Sequence, residues 1–176
     1  MERADYKPGA LADIATERGE GDRWTLVFVR DFRHPPEKVW EALVEPAQLR
    51  EWSPYTADRD LGSAGAATLT MIDGEKEEEL PGEVRRAERP TLLEYTLGGD
   101  LLRWELAPTA EGTRLTLRHT VQDRTWAAMV AAGWHICLDV ADRLLAGRPI
   151  GPIVGDEAKD FGWEELRDSY AARLDG

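Results

Sequence analysis

The sequence predicts an α+β fold, a curved antiparallel sheet wrapped around a long C-terminal helix, and three observations carry that prediction. Apolar residues alternate with polar ones at Trp24, Leu26, Phe28 and Phe32, and again in successive short runs between Ala66 and Val121, the period-two signature of strands with one buried face. From Thr125 to Gly147 the period changes to that of one long helix. At ~100° per residue its apolar side chains span an arc roughly 200° wide, about twice what a helix needs to lie on a flat sheet, so a sheet that curls around the helix is expected.

Residues 1–22 hold Pro8, Gly9 and the charged stretch Glu17 to Asp22, lack periodicity, and are expected to form a flexible leader. The first strand starts at Arg23, with Arg30 the charge that breaks its apolar face. Pro35 and Pro36 suit a first helical turn, and Val39, Trp40, Leu43 and Val44 recur at helical spacing. Pro46 ends that helix, and a second short one runs to Trp52 before Ser53 and Pro54. In the meander that follows, Leu69 and Met71 share a face, and Leu93, Tyr95 and Leu97 alternate up to the Gly98-Gly99-Asp100 turn. Leu102, Trp104 and Leu106 return, and beyond a turn at Gly112 the residues Leu115, Leu117, His119 and Val121 complete one continuous apolar face. The run Glu75 to Glu79 reads as a charged loop that also guards a sheet edge.

The long helix has a threonine or aspartate as its cap and stops at Gly147 ahead of Pro149, with His135, Asp139 and Asp142 on its remaining polar arc. After a loop rich in proline and glycine, a last amphipathic helix carries Trp163, Leu166, Tyr170 and Leu174 on one face. The expected organisation is a leader at 1–22, one domain at 23–147, and a loop and helix at 148–176 packed on that same domain.

Composition excludes several function classes. A formal charge of −12 and a pI near 4.7 repel phosphate backbones and anionic membranes, so nucleic acid is not an expected partner. Cys137, the single cysteine, can form no internal disulfide, which suits a reducing compartment. The first residues are too charged for a signal peptide and no apolar run approaches the ~18 residues of a span, so a cytoplasmic protein without membrane insertion is expected. The seven tryptophans, as many as the tyrosines and phenylalanines together, need apolar surroundings.

Few side chains offer chemistry. His119 shares the inner face with Leu117 and Val121; the commoner arrangement is a core histidine bonded within the protein, and the alternative is a ligand anchor. An inward Arg30 could hold a ligand carboxylate, or turn back to solvent at a strand end. His135 and Asp139 lie one helical turn apart, but without a third ligand at a telling spacing they read as a solvated ion pair and not as a metal site. There is no nucleophile elbow or phosphate-binding glycine loop, Cys137 on the buried arc is expected to be inert, and no cofactor is expected.

Strand, two short helices, a run of strands and a long helix is the order of the START-like SRPBCC superfamily, the helix-grip fold. Arg30-Asp31-Phe32 leading to Pro36, Val39, Trp40, Ala42, Leu43, Pro46, Leu49 and Trp52 resembles the opening motif of its activator-of-heat-shock-protein-90-ATPase homologue branch. Gly82 with Val84, Pro90, Leu93 and Tyr95 is similar to that branch's central strands, Gly112-Thr113 with Leu115, Leu117 and His119 to its final hairpin, and Gly133-Trp134 to the start of its long helix. The resemblance spans about Arg23 to Gly147 and implies a role among hydrophobic-ligand carriers, polyketide cyclases and co-chaperones of a heat-shock ATPase.

The leading expectation is a non-catalytic domain that binds a small hydrophobic molecule between sheet and helix. Trp52, Leu69, Met71, Tyr95 and Trp104 would line the cavity with Leu117, His119, Trp126, Val130 and Trp134, and Arg30 or His119 would be the polar anchor. A co-chaperone using its exterior against a heat-shock chaperone is the second reading. A cyclase or dehydratase with His119 as general acid or base is the third.

Overall fold

A computed structural model describes residues 3–19, 21–72 and 78–175. Among them eight strands form one antiparallel sheet: β1 (Asp13–Arg18), β2 (Trp24–Phe32), β3 (Tyr55–Ala57), β4 (Gly65–Met71), β5 (Glu78–Glu88), β6 (Leu92–Leu97), β7 (Asp100–Pro108) and β8 (Thr113–Val121). Their spatial order is β1-β2-β8-β7-β6-β5-β4-β3, a meander whose last strand returns to pair with the early strand β2. The register there sets Leu26 opposite His119, Phe28 opposite Leu117 and Arg30 opposite Leu115, so all six point into the concave face. A bulge between Val84 and Arg86 of β5 bends the sheet further.

Four helices complete the fold: α1 (Pro36–Val44), α2 (Pro46–Trp52), α3 (Ala127–Leu145) and α4 (Trp163–Asp175). α1 and α2 each begin on a proline, which fixes φ and sacrifices only an N–H that a first turn leaves unpaired. α3 lies in the concavity, and seven consecutive residues, His135 to Ala141, are buried, so no side of it faces water there. This is the helix-grip architecture, and the wide apolar arc of α3 is its cause.

Four sequence expectations are corrected. The stretch read as a flexible leader contains a 3-10 turn at Arg3–Asp5 and the edge strand β1, paired with β2 from Asp13 opposite Val29 to Arg18 opposite Trp24. A backbone ladder on an edge needs no side-chain periodicity, so nothing in the composition marks it. The long helix starts later than its pattern suggests, because Arg124–Trp126 form a 3-10 turn capped by Asp123, whose side chain accepts from the Thr125 N–H at 2.9 Å. His135 and Asp139, placed on a solvated arc, are buried, because Tyr6 from the N-terminal segment and Tyr170 from α4 cover that side of α3. Of the run read as a charged loop, Glu78 and Glu79 already belong to β5, and Glu75 to Glu77 lie outside the described residues. α4 presents Leu166 and Tyr170 to the core with Trp163 and Leu174 at the margin, as its pattern predicts. No helix among the described residues is long and apolar enough to cross a membrane.

Candidate functional site: a cleft beside an aromatic core

Trp52 at the end of α2, Trp104 on β7 and Trp134 on α3 meet at the centre of the grip. Trp134 stands perpendicular to Trp104 with ring centroids 5.2 Å apart, and Trp52 contacts both at 6.3 and 6.4 Å. The two pairs with Trp104 are edge-to-face, setting the positive rim of one ring against the negative face of the other, while Trp52 and Trp134 are tilted at 49°. Each indole N–H has a partner: Trp52 donates to the Ala42 carbonyl at 3.0 Å, Trp104 to the Tyr95 hydroxyl at 3.3 Å, and Trp134 to Nδ1 of His119 at 3.0 Å. Tyr55 and Tyr95 join hydroxyl to hydroxyl, and burial pushes the Tyr95 phenol up to about 12 and the Tyr55 phenol well above its ordinary value. The centre is filled.

A cleft of about 350 Å³ lies to one side of it. Tyr55, Met71, Leu97, Val130, Trp134 and Cys137 form its walls, and Ile153, Val154, Ala158 and Trp163 from the segment after α3 form its roof. Gly133 of α3 also faces it, and a Cβ built there would meet nothing within 4 Å. Its polar end is Asp100 with His119. Asp100 is placed by the two-residue turn before β7, where Gly98 takes φ +57°, a backbone that favours glycine. Burial pushes the Cys137 thiol up to about 12, with the Asp139 charge adding to the effect, so this wall residue is an inert apolar surface.

His119 is fully engaged. An indole N–H can only donate, so Nδ1 of His119 is the acceptor and Nε2 bears the proton, which it gives to Oδ2 of Asp100 at 2.8 Å. Neither ring nitrogen has a free lone pair for a substrate proton, which removes the geometric basis for His119 as a general base. The core-histidine reading describes its bonding, although its ring also edges the cleft.

Of the residues expected to line a cavity, Met71, His119, Val130 and Trp134 do so. Trp52, Leu69, Tyr95, Trp104 and Leu117 are buried in the packed core behind them. Trp126 is 52% exposed and points away, because the 3-10 turn it occupies advances by about 120° per residue and breaks the phase of the helix. Tyr55, Leu97, Asp100, Cys137 and the roof residues are the ones sequence reasoning missed. The signals for them were the alternation that includes Leu97, the Gly98-Gly99-Asp100 turn, the buried arc holding Cys137 and the apolar face of the last helix that carries Trp163.

Arg30, the other expected anchor, does not line this cleft. It reaches the buried carboxylate of Asp139, which also accepts from the Tyr6 hydroxyl at 2.7 Å and the Gly9 N–H at 3.2 Å. His135 Nε2 approaches the same carboxylate at 3.4 Å, off the hydrogen-bonding line, while its Nδ1 lies 2.6 Å from the Tyr170 hydroxyl. Burial alone would raise the Asp139 pKa; the approach of His135, the Arg30 charge and the bonds from Tyr6 and Arg30 outweigh it and hold the carboxyl well below the usual carboxylate range. This cluster ties both ends of the chain to α3. Among the described residues no group of three or more histidine, cysteine, aspartate or glutamate side chains could hold a metal ion.

Several solved structures share the fold over most of the chain. The solution structure of CalU16 from Micromonospora echinospora is 17% identical, with 96% of each chain covered and a TM-score of 0.68. A crystallographic protein from Rhodobacter sphaeroides is 25% identical, covering 77% of this chain and 99% of its own, with a TM-score of 0.61. The AHSA1-like protein from Aeromonas hydrophila is 22% identical, covering 70% of this chain and 92% of its own, with a TM-score of 0.59. At these identities the likeness is one of fold. None of the curated proteins matches the chain. Residues 33–146, from the entry into α1 to the end of α3, match the family described as activator of Hsp90 ATPase homolog 1-like protein. The chain belongs to that family, within the START-like SRPBCC fold.

Proposed function

We propose that the chain binds a small apolar molecule in the cleft between β3, the edge of β4, α3 and the roof segment. The observation that carries this reading is the lining: a space of about 350 Å³ walled by apolar and aromatic side chains, with its polar groups gathered at one end. That pattern and size match small-molecule sites, which are mostly apolar and orient their ligand with few polar contacts. Gly133 supports it. A glycine in a helix interior costs about 1 kcal/mol relative to alanine, and here the missing side chain leaves room in the cleft.

The test is a thermal-shift screen with fatty acids, flavonoids, polyketides and hydrophobic amines, since a ligand of the native state raises the melting temperature. A saturable rise is expected for some members, accompanied by a change in tryptophan fluorescence because Trp134 and Trp163 lie on the cleft. In Gly133→Phe the ring fills the space, so the variant should fold and lose the shift. No shift across the panel, or one that survives Gly133→Phe, defeats the reading.

A second reading, stimulation of a heat-shock chaperone ATPase, draws on the family and on Trp126 and Met129, the large apolar side chains exposed at the start of α3. It predicts faster ATP turnover by a ninety-kilodalton heat-shock chaperone on addition of the protein. Equal rates at saturating concentration would remove it.

A further inference from the structure

The cleft has one carboxylate and, among the described residues, no cation to match it. Asp100 is the only acidic side chain in the lining, and its side chain is 30% exposed. His119 Nε2 is its hydrogen-bond partner through Oδ2, and among the described residues no lysine or arginine pairs with it. Because the Trp134 N–H occupies Nδ1, the histidine meets Asp100 as a neutral donor and leaves the carboxylate charge uncompensated. The charge sits at the end of a slot walled by Tyr55, Trp134 and Trp163. A carboxylate at the end of an apolar slot attracts a cationic group, and aromatic faces attract cations as well. The net charge of −12 draws cations toward the protein and repels anions.

Resting on the reading of this cleft as a ligand site, we infer that its ligand is a hydrophobic amine: an aromatic or apolar body in the slot, and a protonated nitrogen donating to Asp100. His119 is the positioning residue that holds the carboxylate toward the cleft. Fatty acids and other carboxylates are the disfavoured class, because their head group would meet Asp100.

The experiment uses three probes with one body: 1-naphthylmethylamine, which is cationic at neutral pH, 1-ethylnaphthalene, which is neutral, and 1-naphthylacetate, which is anionic. Affinities are read by tryptophan fluorescence and thermal shift on the full chain. The amine should bind about tenfold or more tighter than the neutral probe, the difference expected of one charge-assisted contact, and the anion weakest of all. Raising the salt should weaken the amine alone. Asp100→Asn keeps an oxygen for His119 to bond, and should bring the amine to within about threefold of the neutral probe while leaving the neutral probe unchanged. Equal affinities for amine and neutral probe in the wild type overturn the inference and leave the cleft reading standing, and so does an amine preference that survives Asp100→Asn. Failure of all three probes defeats the cleft reading with it. The wild-type comparison needs no variant to fold.

Discussion

The indole N–H of Trp134 donates to Nδ1 of His119 at 3.0 Å, and this bond joins α3 to β8 at the boundary between the packed core and the cleft. It sets the histidine tautomer, and through it the orientation of Asp100. Trp134→Phe would remove the donor and part of the ring that meets Trp104 at 5.2 Å. The expected loss is about 2–4 kcal/mol, combining a lost buried hydrogen bond with a small cavity, measured as a lower urea midpoint at unchanged slope. A loss below about 0.5 kcal/mol would mean the bond carries no such role.

Asp139→Asn tests the cluster that clasps the chain ends. It leaves Arg30 facing a neutral amide, and breaking a buried pair in this way is expected to cost about 3–5 kcal/mol. The acid limb gives a second readout. The folded Asp139 pKa is depressed, so its contribution is complete above the unfolded value of about 3.9 and is lost as pH falls toward the folded one. The wild type should therefore destabilise steeply below about pH 4, and the variant should follow a flatter curve there. Parallel curves would show that Asp139 is not the group being protonated.

The sheet and α3 are legible in the sequence because each buries one periodic face, and residues such as Leu102, Trp104, Leu115 and Leu117 declare it by alternation alone. The site is less legible, because its parts obey no period. The roof residues Ile153 and Val154 belong to an irregular segment, and β3 spans only Tyr55–Ala57, too short for alternation to register. His135 and Asp139 look polar and exposed on a helical wheel, which knows nothing of what covers it. Tyr6 and Tyr170, which do cover them, are 133 and 35 residues away in sequence.

Trp126 is where sequence phase and structure part company most sharply, and that makes a prediction. With its ring 52% exposed, Trp126→Ala should change stability by no more than about 0.5 kcal/mol and leave every cleft affinity intact. If it weakens a cleft ligand, the 3-10 turn must rearrange on binding. If instead it lowers stimulation of a chaperone ATPase while cleft binding persists, the exterior reading gains its contact residue.

His119→Leu separates bonding within the protein from bonding to a ligand. Both ring nitrogens are committed, one to Trp134 and one to Asp100, so the substitution leaves the buried Trp134 N–H unsatisfied and should cost about 1–3 kcal/mol of stability. The neutral naphthalene probe should bind within about twofold of wild type, because the leucine preserves most of the apolar wall and no hydrogen bond to that probe is lost. The amine's advantage should shrink without vanishing, since Asp100 keeps its charge but loses the donor that points it into the cleft. A tenfold loss for the neutral probe would mean that His119 touches the ligand itself, and an amine advantage left at its full wild-type size would mean that Asp100 needs no support from His119.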